Sequence, residues 1–405
     1  MSNKEKIMGD KAIHTTDVKT LIKNNVRNYS MFIILLMIMV IFCFLTNWIN
    51  WLPRNFVNIF FQNSYVLILA IGMVQVIITR NIDLSVGSIC AFVGALSAMI
   101  YNTGIGMPAT VLAAVLIGAG IGAFQGVWVA YAKLPSFIVT LSGMLLFRGL
   151  TYIVTNIRPV SLKDHNFSLV ATGTLDEVLH AGRVGPYLPM AFILAITILV
   201  VFYIAEFMGR KNKIANGFEV VPLPLLITKL VLISILVLGL ADRFARSRGL
   251  PIVVLVLLVA VFIFSFILRN TVLGRYIYAV GGNPRSAKLS GINSELIVFI
   301  VFCFMGGLSG LAAVIFTGFM NTAHPAAGQL FELDTIAACY IGGVSAGGGI
   351  GTVIGVVVGG LVMSAINNGM ILMNLGSHLQ QVVRALILLL AVFYDVYSRR
   401  KAGLG

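Results

Sequence analysis

Long apolar runs follow one another along nearly the whole chain, separated by short polar segments. Crossing a bilayer as a helix takes about 20 apolar residues. On that criterion spans fall near Ser30–Asn50, Phe56–Thr79, Leu84–Tyr101, Met107–Ala132, Ser136–Asn156, Tyr187–Met208, Pro222–Ala241, Leu250–Leu268, Ser294–Met320, Thr335–Ala346, Gly351–Leu372 and Leu379–Tyr397. The pattern predicts an all-α fold, a polytopic membrane helix bundle of about 10–12 transmembrane helices. Residues 1–29 read as a cytoplasmic tail, 30–397 as the membrane domain, and 398–405 as a second cytoplasmic tail.

Composition agrees. Hydrophobic residues make up 59% of the 405 positions and charged ones 10%, against about half and a quarter in soluble domains. No sizeable soluble domain is left over. The formal charge of +14 is spread through short segments between spans, which suits orientation by the positive-inside rule and argues against nucleic-acid binding. With the tail inside, "GRKNKIANG", the stretch from Leu273 to Asn293 and the final "SRRK" are also inside, whereas "YNTGIGM" and "NTAHPAAGQLFELD" fall outside without Lys or Arg. One segment disagrees: "ADRFARSRG" holds three arginines and falls outside if Pro222–Ala241 crosses, as its apolar run requires. Cys43, Cys90, Cys303 and Cys339 lie in or against apolar runs, without metal or disulfide spacing.

Two places are irregular. Thr335–Ala346 is short and runs into "GGVSAGGGIG", the mark of a broken or re-entrant element; in "TRNIDLSVGS", Arg80 and Asp83 sit close to apolar sequence. Gly118, Gly122 and Gly126 are spaced by four, as are Gly351, Gly355 and Gly359, so each set is expected on one helix face where backbones approach closely. The plain reading is helix packing; a sliding seam is the other.

The chemistry-bearing residues exclude more than they assign. No metal, GxSxG, HExxH or paired-carboxylate arrangement is present, and no GxxxxGK[ST] phosphate loop, so an enzyme is not expected and any ATP must be bound by another chain. Ion-driven transport needs an intramembrane ionisable group; Asp83, Glu206, Asp334 and Arg384 are the candidates, mostly near span ends. Deeper polar positions are neutral: Gln75, Gln125, Thr140, Ser142, Asn367 and Asn368. These suit an uncharged, hydroxyl-rich solute, or simply interhelical hydrogen bonds. Gln75, Gln125, Asn367 and Asn368 are the pathway candidates. Gln380 and Arg384, one turn apart, are placed to anchor the last helix.

"LGRYIYAVGGNPRSAKLSGIN", Leu273–Asn293, is basic, glycine-punctuated and too long for a simple turn. It reads as short helices broken at "GGNP" and "LSGIN", with Asn293 or Ser294 capping the next span. It is either a topology-setting basic loop or a docking element, and its length favours docking.

With "TRNIDLSVGSICAFVGALSA", "LPSFIVTLSGMLLFRGLTYIVTN" and "IAACYIGGVSAGGGIGTVIGVVVGGL", that stretch resembles the permease subunits of ATP-binding-cassette importers for ribose, galactose and xylose. The likeness runs from about Phe56 to the C-terminus, and an additional segment near Gly209–Gly249 makes the xylose or multiple-sugar type the best match. The resemblance implies a homodimer in the bacterial cytoplasmic (inner) membrane and an extracytoplasmic sugar-binding protein that delivers a monosaccharide. It also implies partner ATPase subunits that bind ATP and magnesium, with no cofactor on this chain. It makes residues 269–293 the ATPase-coupling loop, with Gly281, Gly282, Asn283, Pro284 and Arg285 at the contact and Ala287 and Gly291 setting the local helix and its exit. A sugar:cation symporter using intramembrane carboxylates is the competing expectation.

Overall fold

The computed structural model describes residues 18–401 except 219 and 221; for 18–30, 394, 395 and 398–401 it describes the backbone alone. Most of the expected N-terminal tail and the last four residues lie outside the described residues. The chain forms two compact units, Ser30–Thr174 with Pro251–Gly405, and Leu175–Leu250 with the chain before Ser30.

Every expected span is met by a helix. In chain order the larger unit holds most of α1 (Val18–Leu45), then α2 (Pro53–Ile78), α3 (Val86–Asn102), α4 (Met107–Ala130), α5 (Ser136–Thr155) and the short α6 (Leu169–Thr172). The smaller unit contributes α7 (Leu175–Val178), α8 (Met190–Ala215) and α9 (Leu223–Arg246). The larger unit resumes with α10 (Ile252–Asn270), α11 (Val272–Gly282), α12 (Pro284–Leu289), α13 (Ser294–Met320), α14 (Phe331–Ile341), α15 (Val353–Leu372) and α16 (Ser377–Lys401). Among the described residues, eight helices are long and apolar enough to cross a membrane, so the chain is a multi-pass membrane helix bundle.

The bundle is organised around α2 and α13. The membrane-length core of α2 is almost entirely buried, and α13 packs on α4, α2 and α3. The α4–α13 crossing is glycine on glycine: a Cβ on Gly306 would stand 2.7 Å from the Gly122 amide nitrogen, and one on Gly118 would stand 3.0 Å from the Gly310 Cα. In lipid, where apolar contact alone does not drive helices together, such approach supplies the dispersion contact and buries the backbone. Gly126 packs against Phe299 and Phe302, completing the first stripe. The second stripe differs from the expectation. Gly355 and Gly359 face α14, but Gly351 precedes Thr352, the residue whose hydroxyl accepts the Gly355 N–H at 3.0 Å and starts α15.

Three further departures concern segments between helices. α14 has 11 residues, about 16 Å of helix, too short to cross alone. The stretch "NTAHPAAGQL" is more than an external loop. Thr322–Ala323 pairs antiparallel with Val160–Ser161, and Gly328 then lies against Gly87 at the start of α3. In the smaller unit, the awkward arginines of "ADRFARSRG" belong to the last turn of α9 and its exit. Arg246 pairs with Asp242 at 2.7 Å, Arg183 donates to the Ser247 carbonyl at 3.0 Å, and Asp176 receives the Leu250 amide at 2.9 Å. That end of α9 therefore joins the 175–190 segment, which the crossing of Pro222–Ala241 requires.

Two outcomes test this packing. Gly306→Val should cost at least about 1–3 kcal/mol, read as a lower thermal midpoint in detergent, whereas Gly120→Ala, which meets open space, should not lower it. In the ribbon segment, Asp164 accepts the Tyr101 hydroxyl at 2.6 Å and the Asn166 amide at 2.9 Å, and the tyrosine bond first of all holds its carboxyl below the usual range. Because the folded value is the lowered one, this contribution is complete above the ordinary aspartate value of about 3.9 and is lost as pH falls through the lowered one. The protection factors of the amides at residues 160–164, which correct for the intrinsic pH dependence of exchange, should fall on that acid side and be flat above it.

Candidate functional site

The 269–293 region is built from caps. Thr271 receives the Gly274 amide at 3.2 Å and starts α11; Asn283 receives the Ser286 amide at 3.1 Å and, with Pro284 at the first helical position, starts α12. Asn293 receives the Leu296 amide at 2.9 Å and starts α13. A side-chain acceptor satisfies an orphan amide at each start. Gly291, at φ +83°, provides the left-handed exit from α12. Asn283, Pro284, Arg285, Ser286 and Lys288 are exposed, and Leu289 is 90% exposed. Of the expected contact set Gly281 is buried, so the presented surface is narrower than that set; Ala287, expected to set the local helix, is buried as well.

Gly281 is buried because three segments meet there. A Cβ on it would overlap the Ile78 carbonyl at the end of α2 and stand 2.8 Å from the Gly349 amide nitrogen. Gly349 donates to the Ile78 carbonyl at 2.9 Å, and the Tyr278 hydroxyl donates to the Gly351 carbonyl at 2.7 Å. Arg80, at φ +64°, closes the junction: its Nε donates to the Gly281 carbonyl at 2.6 Å and its Nη2 to that of Gly282. The otherwise free carbonyls at the end of α11 are thus capped by a guanidinium from "TRNIDLSVGS", while "GGVSAGGGIG" packs beneath. Beside the junction a cleft of ≈ 450 Å³ is lined by Arg80, Asn81, Lys133, Ser136, Ser294 and Glu295, among others.

The polar pathway candidates are buried and fall into separate groups. Gln125 donates to the Ser85 hydroxyl at 2.8 Å, and Ser85 donates to Asp83 through its hydroxyl at 2.6 Å and its amide at 2.8 Å. Asn368 exchanges hydrogen bonds with Asn55, at 2.9 and 3.2 Å. Asn367 accepts from Arg384 Nε at 3.1 Å, and the same guanidinium lies 3.3 Å from the Asp334 carboxylate. Gln75 donates to the Ile71 carbonyl of its own helix at 3.2 Å, its Oε1 buried without a partner. Thr140 bonds back to Ser136 at 2.9 Å. Arg384 therefore ties α16 to α14 and α15, as an anchor would, while Gln380 bonds the Leu375 carbonyl at 2.8 Å. In the smaller unit Glu206 pairs with Lys229 at 2.9 Å.

Sequence reasoning noticed Arg80 but not its partners, and missed Tyr278, Arg148 and Glu332. The signal for Arg80 was partial. A cation in a polar break between apolar runs asks for acceptors, and "AVGGNP" ends a helix with free carbonyls, but nothing in the order of residues pairs the two.

A permease family model, described as a branched-chain amino acid transport system permease component, matches residues 55–392. The xylose transport system permease protein of Haemophilus influenzae is 38% identical, over 93% of this chain and 98% of that one. Its Escherichia coli counterpart is 36% identical, over 93% and 94%. The ribose import permease protein of Escherichia coli is 34% identical over 84% of this chain and 85% of its own. No solved structure matches significantly. Among the described residues, eight helices long and apolar enough to cross a membrane, a buried glycine seam and an exposed helix pair locked to the bundle by Arg80 thus occur in a chain that belongs to this family of transport-system permease components.

Proposed function

We propose that the chain is the membrane-spanning permease subunit of an ATP-driven monosaccharide importer, xylose or a related sugar being its cargo. The observation that carries the reading is the presented α11–α12 pair clamped to α2 and to the glycine loop before α15. A force applied to α12 from outside reaches the bundle through that junction with little flexible backbone between. The extent of likeness to xylose permeases favours a sugar over other cargo.

In this reading residues 1–29 and 398–405 are cytoplasmic, 269–293 couples to ATPase subunits that hold ATP and magnesium, and this chain binds no cofactor. Two copies face each other in the bacterial cytoplasmic membrane, and a sugar-binding protein docks opposite the coupling end. ATP binding closes the ATPase pair, pulls on α12, and rocks the two copies between inward-open and outward-open forms.

Uptake by vesicles containing the chain, its ATPase and its binding protein tests this. Arg285→Glu should abolish ATP-dependent uptake while membrane insertion stays normal. Arg80→Gln should leave ATP hydrolysis by the complex but reduce the sugar moved per ATP. Uptake that persists without the ATPase, and collapses with the proton gradient, would refute the reading in favour of symport. The carboxylates a symporter would use are engaged, Asp83 by Ser85 and Asp334 by Arg384. Arg384→Met alone strands a buried carboxylate and should cost about 3–5 kcal/mol, most of it regained in the double variant Asp334→Leu/Arg384→Met, read as thermal midpoints.

A further inference from the structure

The segment Asn321–Leu330 is non-helical, yet it does not stay at the end of the bundle where it begins. Ala323 packs in one cluster with Ala95 and Ala98 on α3, and five residues later Gly328 lies against Gly87. Asn102, at the far end of α3, bonds the Ser161 carbonyl of the ribbon at 2.9 Å. Gly87 and Asn102 are fifteen helical steps apart, so Gly328 lies about 22 Å along α3 from that end, a distance that, taking Asn102 as the edge, falls within a hydrocarbon layer about 30 Å thick.

The residues around this descent are polar, and several are uncovered. Gln329 is exposed, and Glu332 and Arg148 are half-exposed. Arg148, midway along α5, donates to the Ala327 carbonyl, and the Glu332 carboxylate lies 2.9 Å from where a Cβ on Gly87 would stand. Irregular backbone and exposed polar side chains do not face lipid at this depth; they occur where protein or a water-filled cavity covers them.

From this placement we infer that Gln329, Glu332 and Arg148 form the wall of the solute pathway and hydrogen-bond an uncharged, polyhydroxylated solute as it passes. The set joins one acidic and one basic side chain to a neutral amide. It offers both donors and acceptors to hydroxyl groups: the Gln329 amide, the Glu332 oxygens and the remaining guanidinium N–H groups. This deepens the importer reading and rests on it for the identity of the solute. It replaces Gln75, Gln125, Asn367 and Asn368, which are turned into the bundle, as the groups a solute meets.

The test separates water access from transport. In proteoliposomes containing the full chain, Gln329→Cys is treated from both sides with a charged, membrane-impermeant thiol reagent, with wild type as the blank for native cysteines. Phe262→Cys, at an exposed position in the middle of apolar α10, is the lipid-facing control. Gln329→Cys should react at least about tenfold faster than Phe262→Cys, as a site wetted rather than lipid-covered would. In the assembled importer Gln329→Ala, which removes no bond inside the chain, should slow uptake by about three- to tenfold, the loss of one or two neutral hydrogen bonds, with ATP hydrolysis retained. Reaction no faster than the control overturns the wetted wall, whatever is transported. Fast reaction with unchanged uptake overturns solute contact. Absence of ATP-driven sugar uptake by the wild-type complex would instead count against the importer reading, and the labelling result would still stand.

Discussion

Peptide groups inside a bilayer have no water to turn to, and the architecture follows from how this chain meets that demand away from its helices. Three non-helical segments enter the bundle: Thr79–Ser85, Asn321–Leu330 and Gly342–Thr352. They are satisfied largely by one another and by the neighbouring helix ends. Gly349 donates to the carbonyl at the end of α2, Ser85 gives its amide to Asp83, and Arg148 and Arg80 take up carbonyls that no helix uses. Glycine makes this possible at Gly87, Gly281 and Gly328, because each backbone passes within the space that a side chain would fill.

Mutual satisfaction has a mechanical consequence. Segments that complete each other's hydrogen bonds cannot move singly without stranding a polar group, a loss of about 1–3 kcal/mol for each one left unpaired. The α11 end, the α2 end and the loop before α15 therefore move together or not at all. Displacement of the exposed α12 is then delivered to α2, the most deeply buried helix, and through Gly351 and Thr352 to the start of α15. Flexible connections would have absorbed the same displacement. The interior was thus made of stiff joints where α11 and α12 meet α2 and of glycine contacts, as between α4 and α13, along the length.

What the sequence disclosed divides along the same line. Helices announce themselves by local composition, so the twelve apolar runs, the breaks at "GGNP" and "LSGIN" and a cap at Asn293 or Ser294 were legible, whereas the caps at Thr271 and Asn283 came from the structure. The glycine stripe of α4 was legible because a spacing of four marks one face. Its counterpart near α15 was misread by one member, since Thr352, whose hydroxyl fixes where the helix starts, stands between Gly351 and the rest. The paths of non-helical segments were not legible. "NTAHPAAGQL" has the composition of an exposed loop, and its descent beside α3 depends on Gly87 and Ala95, more than two hundred positions away. Arg148 was hidden by its surroundings: one cation in an apolar helix, with its acceptor on a segment that sequence placed outside.

Charge in the larger unit follows a rule that joins these observations. Asp334 has Arg384, Glu295 has Lys288 at 3.4 Å, and Asp83 has the Ser85 donors. None of the three is offered to a passing ion, and each ties elements distant in sequence or fixes a helix start. A bundle that used a carboxylate to carry protons would have to break such a tie in every cycle, with an unpaired charge left in a medium of low dielectric. A bundle driven through its coupling end keeps the ties intact and moves the elements they join as bodies. The engaged carboxylates and the stiff junction at Arg80 are therefore two views of one design, in which charge holds the parts together and the work is supplied from outside the membrane.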